Sequence, residues 1–223
     1  MVEIKWLGHA AFEIGMANKI LLIDPWLEGN PKASKKVEDL KKVDIVCVTH
    51  DHGDHLGDAI KICKQTEATF VAIYELGVYA KEQGVKDVVG INIGGTVEVK
   101  GVNIVMVQAF HSALRGAPAG FVINADGKTI YHAGDTSLFG DMKLIGEIYN
   151  PNVALIPIGG YYTMGSSEAV KAVELIKPDV VIPMHYLTFP VLVSSAEEFK
   201  RAVKEGVPAV KVVVLKPGES YKF

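Results

Sequence analysis

The residues most able to do chemistry lie in one turn, Thr49-His50-Asp51-His52-Gly53-Asp54-His55, a His-x-His-x-Asp-His pattern between an apolar run and a helix-like stretch. Side chains two apart on extended backbone point the same way, so His50 and His52 can share one ion. Asp54 and His55, where the chain turns toward the helix, can face a neighbouring ion, and Gly53 permits the tight backbone between the two pairs. Neutral imidazoles with carboxylates select borderline divalent cations: zinc first, with manganese, iron and nickel as alternatives, since the lack of Cys weakens the preference for zinc.

This turn resembles the hallmark of the metallo-β-lactamase superfamily of hydrolases, and the resemblance extends over nearly the whole chain. The phrases LGHAAF, IDPW, GGYYTMG and PMHYLTFP are further similar to a subgroup of small metal-dependent hydrolases related to the L-ascorbate-6-phosphate lactonases. The resemblance implies three further ligands: His111 in QAFHS, Asp135 in YHAGDT and His185 in IPMHY. One ion would take His50, His52 and His111, a second Asp54, His55 and His185, with Asp135 bridging both. A bridging carboxylate lets two cations sit about 3.5 to 4 Å apart around a shared hydroxide, which metal binding makes available near pH 7.

Other candidates carry two readings each. His9, after the first strand, is either a buried structural histidine or a contact to substrate; with Asp54 it is the candidate for a direct part in catalysis. Asp24, before Pro25, is a turn former or, as the family suggests, a group that orients a ligand. His132 could face either way along its strand and at most supports the ligands. Tyr161 and Tyr162, in a glycine-flanked loop, and Tyr186, beside His185, can present phenols to a substrate or fill core. Arg115 is the best placed cation for an anionic substrate, or simply a solvated side chain.

These residues need elements to position them. Short β-branched or aromatic runs at 2–6, 11–15 and 19–24 predict an opening meander. Strands at 44–48, 69–73 and 85–89 alternate with helices at 56–64 and 75–83, and residues 97–108 form a hairpin turning at Gly101. A second hairpin turns at Asp126-Gly127 between 120–124 and 129–134. Helices follow at 138–148, 166–176 (capped by Ser166) and 195–205, with strands at 152–158, 179–184 and 210–215. The connection 31–42 has periodicity too weak to assign. Segments 44–50 and 179–185 are both apolar strands ending in His, and Asp24 and Asp135 both follow strands, which suggests an internal duplication. The expectation is one α/β domain over residues 1–223, a four-layer αββα sandwich of two mixed sheets flanked by helices.

Composition narrows the function. A chain of 223 residues, 49% hydrophobic, can bury a core without metal or disulfide, so any metal serves chemistry. Cys47 and Cys63 read as core thiols in a reducing compartment. With 23 Lys+Arg against 26 Asp+Glu the net charge is −3, and only Arg115 and Arg201 are arginine, which weighs against nucleic acid. No apolar run reaches a membrane span and no signal peptide is evident, so a cytoplasmic location is expected. The reading is a hydrolase acting on an ester, lactone or phosphoester of a small molecule, with self-assembly left open. The rivals are a nuclease or phosphodiesterase, a redox di-iron protein, which in this family carries Glu where His52 stands, and a metal-dependent binding protein without turnover.

Overall fold

The computed structural model describes residues 1–16 and 18–223, and its short apolar runs pair into two seven-stranded mixed sheets. The first contains β1 (Glu3–Gly8), β2 (Ala11–Met16), β3 (Lys19–Ile23), β4 (Ile45–Cys47), β5 (Thr69–Ile73) and β6 (Val88–Ile91). Pairing is antiparallel from β1 to β3 and parallel from β3 to β6. The second contains β7 (Thr96–Val99), β8 (Val102–Gln108), β9 (Ala119–Ala125), β10 (Lys128–His132), β11 (Val153–Pro157), β12 (Val180–Met184) and β13 (Lys211–Val212). It is antiparallel from β7 to β10 and parallel beyond. The last strand, β14 (Ser220–Lys222), returns to the first sheet beside β1.

The parallel strands β4, β5, β11 and β12 are buried along their whole length. Both faces of these strands are covered, which is why they read as unbroken apolar runs rather than alternating ones. Helices α1 (Gly53–Leu56), α2 (Ala59–Thr66), α3 (Tyr74–Glu82), α4 (Met142–Tyr149), α5 (Ser166–Ile176) and α6 (Glu197–Gly206) complete the chain. The α2 and α3 helices pack on β5, while α4, α5 and α6 pack in succession and α6 reaches β13. One hydrophobic cluster includes Phe12 and Phe70 of the first sheet, Phe121 of the second and Phe199 of α6. Burying each such ring contributes about 1.5–3 kcal/mol. Among the described residues no helix is long and apolar enough to cross a membrane.

Several boundaries differ from expectation. The helix expected at 56–64 is broken at Gly57, whose φ is +40° and where a Cβ would lie 2.5 Å from the Trp26 Cα. The break yields one turn of helix carrying Asp54 and His55, then a separate α2. Ser166 lies inside α5 and supplies no side-chain cap; Gly165 stands at the cap position. The helix expected from 138 starts at Met142, and the strand expected at 210–215 pairs only at Lys211–Val212.

The two sheets also share one strand order, so β3 corresponds by position to β10 and β4 to β11. The pairing of Asp24 with Asp135 follows this correspondence. The match of 44–50 with 179–185 does not, because the second segment forms β12, one strand farther out.

Candidate metal centre

Strand direction brings the candidate residues together. His9 follows β1, Asp24 follows β3, His50 follows β4, His111 follows β8, Asp135 follows β10 and His185 follows β12. These strands run parallel within each sheet, so their C-terminal ends open on one edge, where open α/β sheets place ligands. The backbone is bent sharply there: His9, Asp24 and His185 are non-glycine residues at φ +59°, +47° and +56°. Left-handed backbone at such residues costs about 1–3 kcal/mol each and concentrates at functional sites.

Three groups of His and Asp place ligand atoms close enough for one ion: His50, His52 and His111; His50, His55 and Asp135; and His9, Asp54, His55 and His185. His50 Nε2 and His52 Nδ1 are 3.0 Å apart. Asp135 Oδ1 is 3.2 Å from His55 Nε2, and its Oδ2 is 3.0 Å from His185 Nε2 and 3.5 Å from His111 Nε2. Asp54 Oδ2 lies 3.7 Å from His185 Nε2 and 3.8 Å from His55 Nε2.

A buried network behind these atoms sets their tautomers. Asp24 Oδ1 accepts from the Thr49 amide at 2.8 Å, and Oδ2 accepts from the Thr49 hydroxyl and His55 Nδ1, both at 2.7 Å. A carboxylate only accepts, so His55 carries its proton on Nδ1 and turns Nε2 toward Asp135. The Thr49 hydroxyl spends its proton on Asp24, so it accepts from His50 Nδ1 at 3.0 Å, and His50 Nε2 faces His52 with a lone pair.

The charge balance asks for cations. Burial pushes His50 down to about 3 and His9 down to about 4, and also lowers His111 and His132, so these rings are neutral at pH 7. Burial works against ionised Asp24 and Asp135, but the His55 imidazole beside each outweighs it and holds both carboxyls low. His55 is raised despite its burial, because Asp135 and Asp24 flank it. Among the described residues, His55 Nε2, Asp135 Oδ1 and both His185 nitrogens are buried without a hydrogen-bond partner. Buried polar atoms left unpaired are costly, and divalent cations satisfy the imidazole lone pairs and carboxylate oxygens among them while neutralising the carboxylates. The donor set fits them.

The beta-lactamase superfamily domain matches residues 3–185. A UPF0173 metal-dependent hydrolase of Methanopyrus kandleri is 55% identical over 99% of this chain and 100% of its own length. The chain belongs to the beta-lactamase superfamily. Within it the chain groups with the UPF0173 metal-dependent hydrolases, another of which, from Staphylothermus marinus, is 53% identical over the full length of both. The structure of a metallo hydrolase from the hyperthermophilic archaeon Ignicoccus hospitalis superposes with a TM-score of 0.93 at 42% identity, covering 100% of this chain and 99% of that one. An isothiocyanate hydrolase from Delia radicum gut bacteria shares the fold alone, with a TM-score of 0.81 at 20% identity over 99% and 98% of the two chains.

In this superfamily member the remaining candidates fall into distinct places. His9 is fully buried, the buried structural histidine of its two expected readings. Its Nε2 donates to Asp54 Oδ2 at 3.0 Å, and its Nδ1 accepts from the Thr188 hydroxyl at 2.6 Å. It grips Asp54. His132 donates from Nε2 to the Ala10 carbonyl at 3.0 Å and accepts the Gly134 amide at 3.1 Å, tying the loop after His9 to the loop that carries Asp135.

Arg115 is committed to Asp51, 3.0 Å away, and lies over the Tyr79 ring, so it is not the free cation expected for an anionic substrate. Asp51 was not singled out by sequence, yet it also accepts the Leu114 amide at 2.8 Å, fastening the His111 loop to the His50 turn. Its place inside the motif, between ligands that point the other way, was the available signal. Tyr186 is 4% exposed and stacks on Trp6 at 5.2 Å. It is core rather than a substrate contact, because the left-handed turn at His185 sends the two neighbouring side chains apart. Tyr161 and Tyr162 are exposed at the same edge as the metal-type residues.

Proposed function

We propose that the chain holds two divalent cations, zinc first among them, and hydrolyses an ester, lactone or phosphoester of a small molecule. The observation that carries this reading is Asp135, whose two oxygens face imidazoles from both ligand groups, His55 on one side and His111 and His185 on the other. His50, His52 and His111 would hold one ion and Asp54, His55 and His185 the other, with Asp135 between. Bound there, the cations supply an activated water and a Lewis acid for the charge that develops on oxygen. The protein's part is orientation. Asp24 and Thr49 fix the tautomers of His55 and His50, His9 and Thr188 fix Asp54, and Asp51 fixes the His111 loop.

The net charge of −3 and the engagement of Arg115 leave little to attract a polyanion, which favours a small substrate over nucleic acid. The test combines metal analysis with a panel of chromogenic esters, lactones and phosphodiesters. Two ions per chain, turnover lost on chelation and restored by zinc or manganese, and loss of both in His50→Ala are expected. Undiminished turnover in chelated protein would overturn the reading.

A further inference from the structure

A ladder of rings runs from solvent to the group that holds Asp54. Tyr161 meets Tyr162 edge-on at 4.9 Å, Tyr162 meets Phe189 edge-on at 6.4 Å, and Phe189 stacks on Trp26 at 5.5 Å with planes 18° apart. Trp26 and Phe189 then both meet the His9 ring edge-on, at 5.2 and 5.4 Å. The ladder starts at Tyr161, 67% exposed, and Tyr162, 52% exposed, and ends at fully buried His9, whose Nε2 holds Asp54. Its members come from the connections after β3, β11 and β12, the same sheet edge that delivers Asp24 and His185.

Large rings kept in water at the mouth of a polar site are characteristic of a binding wall rather than of core. Phenols at its outer end give it a wet rim, and stacked rings offer flat apolar area already held in place, at little further entropic cost. The cation that could have anchored an anionic group, Arg115, is taken up by Asp51.

We infer that this ladder is the wall for the non-reacting part of the substrate, and that this part is a flat, aromatic group. The inference rests on the hydrolase reading above. An aryl-bearing ester or lactone would lay its ring along Tyr162 and Phe189 while its carbonyl reaches Asp54 and the ligands beyond. Ring-on-ring contact contributes beyond simple burial, enough for about a two- to tenfold preference over a saturated ring of the same size.

The experiment compares matched pairs on the metal-loaded protein. Phenylacetate and cyclohexylacetate carry the same charge, and their binding is read from the fluorescence of Trp26, since the other tryptophan, Trp6, is buried against Tyr186. Methyl phenylacetate and methyl cyclohexylacetate share a leaving group, and their hydrolysis gives KM. The expected result is two- to tenfold tighter binding and a correspondingly lower KM for the phenyl member. Phe189→Leu and the more exposed Tyr162→Leu should each abolish that preference with metal content unchanged, and Tyr162→Phe should retain it. Turnover with no phenyl preference, or a preference that survives both leucine variants, would overturn the inference and leave the hydrolase reading intact. A phenyl preference in binding with no turnover of any ester, lactone or phosphodiester would sustain the wall and overturn the hydrolase reading instead.

Discussion

Asp24 and Asp135 stand at corresponding places in two similarly ordered sheets, after β3 and after β10, and they do opposite work. Every neighbour of Asp24 offers it a hydrogen: the Thr49 amide, the Thr49 hydroxyl and His55 Nδ1. Asp135 faces imidazole nitrogens at 3.0 to 3.5 Å, and among the described residues its Oδ1 has no well-formed hydrogen bond. Position in the fold brings both carboxylates to the same edge. What separates the two is that the oxygens of Asp24 are filled by donors from the segment after β4 in its own sheet, whereas those of Asp135 face imidazoles from three different segments at distances an ion could share. In the second sheet the positioning duty passes to His132, which uses both ring nitrogens on backbone groups.

The largest expected effect is on the ligand side. Asp135→Asn removes the charge that faces three imidazoles, and metal content should fall below two ions per chain with activity down at least about 100-fold. Retention of both ions and of activity in this variant would remove Asp135 from the centre. Asp24→Asn should do less. An amide can still accept from Thr49, but the NH2 it then turns to His55 Nδ1–H sets donor against donor. Metal affinity should drop about 10- to 100-fold and stability by about 1–3 kcal/mol, with activity recovered at saturating metal. If the two variants proved equal, the distinction between orienter and ligand would collapse.

The contrast also shows what could be read without coordinates. The His50 to His55 cluster was legible because its ligands are local: a strand end and one helical turn set their directions. His111, Asp135 and His185 come from distant strands, and it was the family resemblance that suggested them. Tyr186 and Arg115 were misjudged for a common reason. Each neighbours a ligand-type residue in sequence, and the partner that claims it, Trp6 or Asp51, lies far away along the chain. The break at Gly57 depends on the Trp26 backbone, equally invisible locally. Strand β14 is three residues long, too short to show a period.

A third test uses pH on chelated protein. His9 and His50, held at about 4 and 3 by burial, refuse protons that the unfolded chain accepts near its ordinary 6.5. Bases with lowered folded pKa values stabilise the native state above 6.5, and that contribution is lost as pH falls toward 4. The low carboxyls of Asp24 and Asp135 do not offset this, since their contribution changes only below about 3.8. His55, raised by both carboxylates, contributes fully below 6.5 and loses that contribution as pH rises through its folded pKa. Urea midpoints should therefore fall steadily from pH 6.5 to 4.5, with uptake approaching two protons from His9 and His50. A flat profile would mean that these rings are not held neutral.

The smallest effect should come from Thr49, which carries the influence of Asp24 one residue farther. Its hydroxyl donates to Asp24 and accepts from His50 Nδ1, so it links the orienting carboxylate directly to the first ligand of the motif. Thr49→Val keeps shape and burial but leaves His50 Nδ1–H without an acceptor and Asp24 short of one donor. The tautomer of His50 is then no longer fixed, and metal affinity should fall about three- to tenfold, less than for Asp24→Asn, where His55 is released as well. Thr49→Ser restores the hydroxyl and should restore affinity, at a small packing cost against Gly134, near which the Thr49 methyl lies. Equal losses in the Val and Ser variants would show that Thr49 acts by packing alone. The reach of Asp24 would then end at His55, and His50 would owe its orientation to the strand that delivers it.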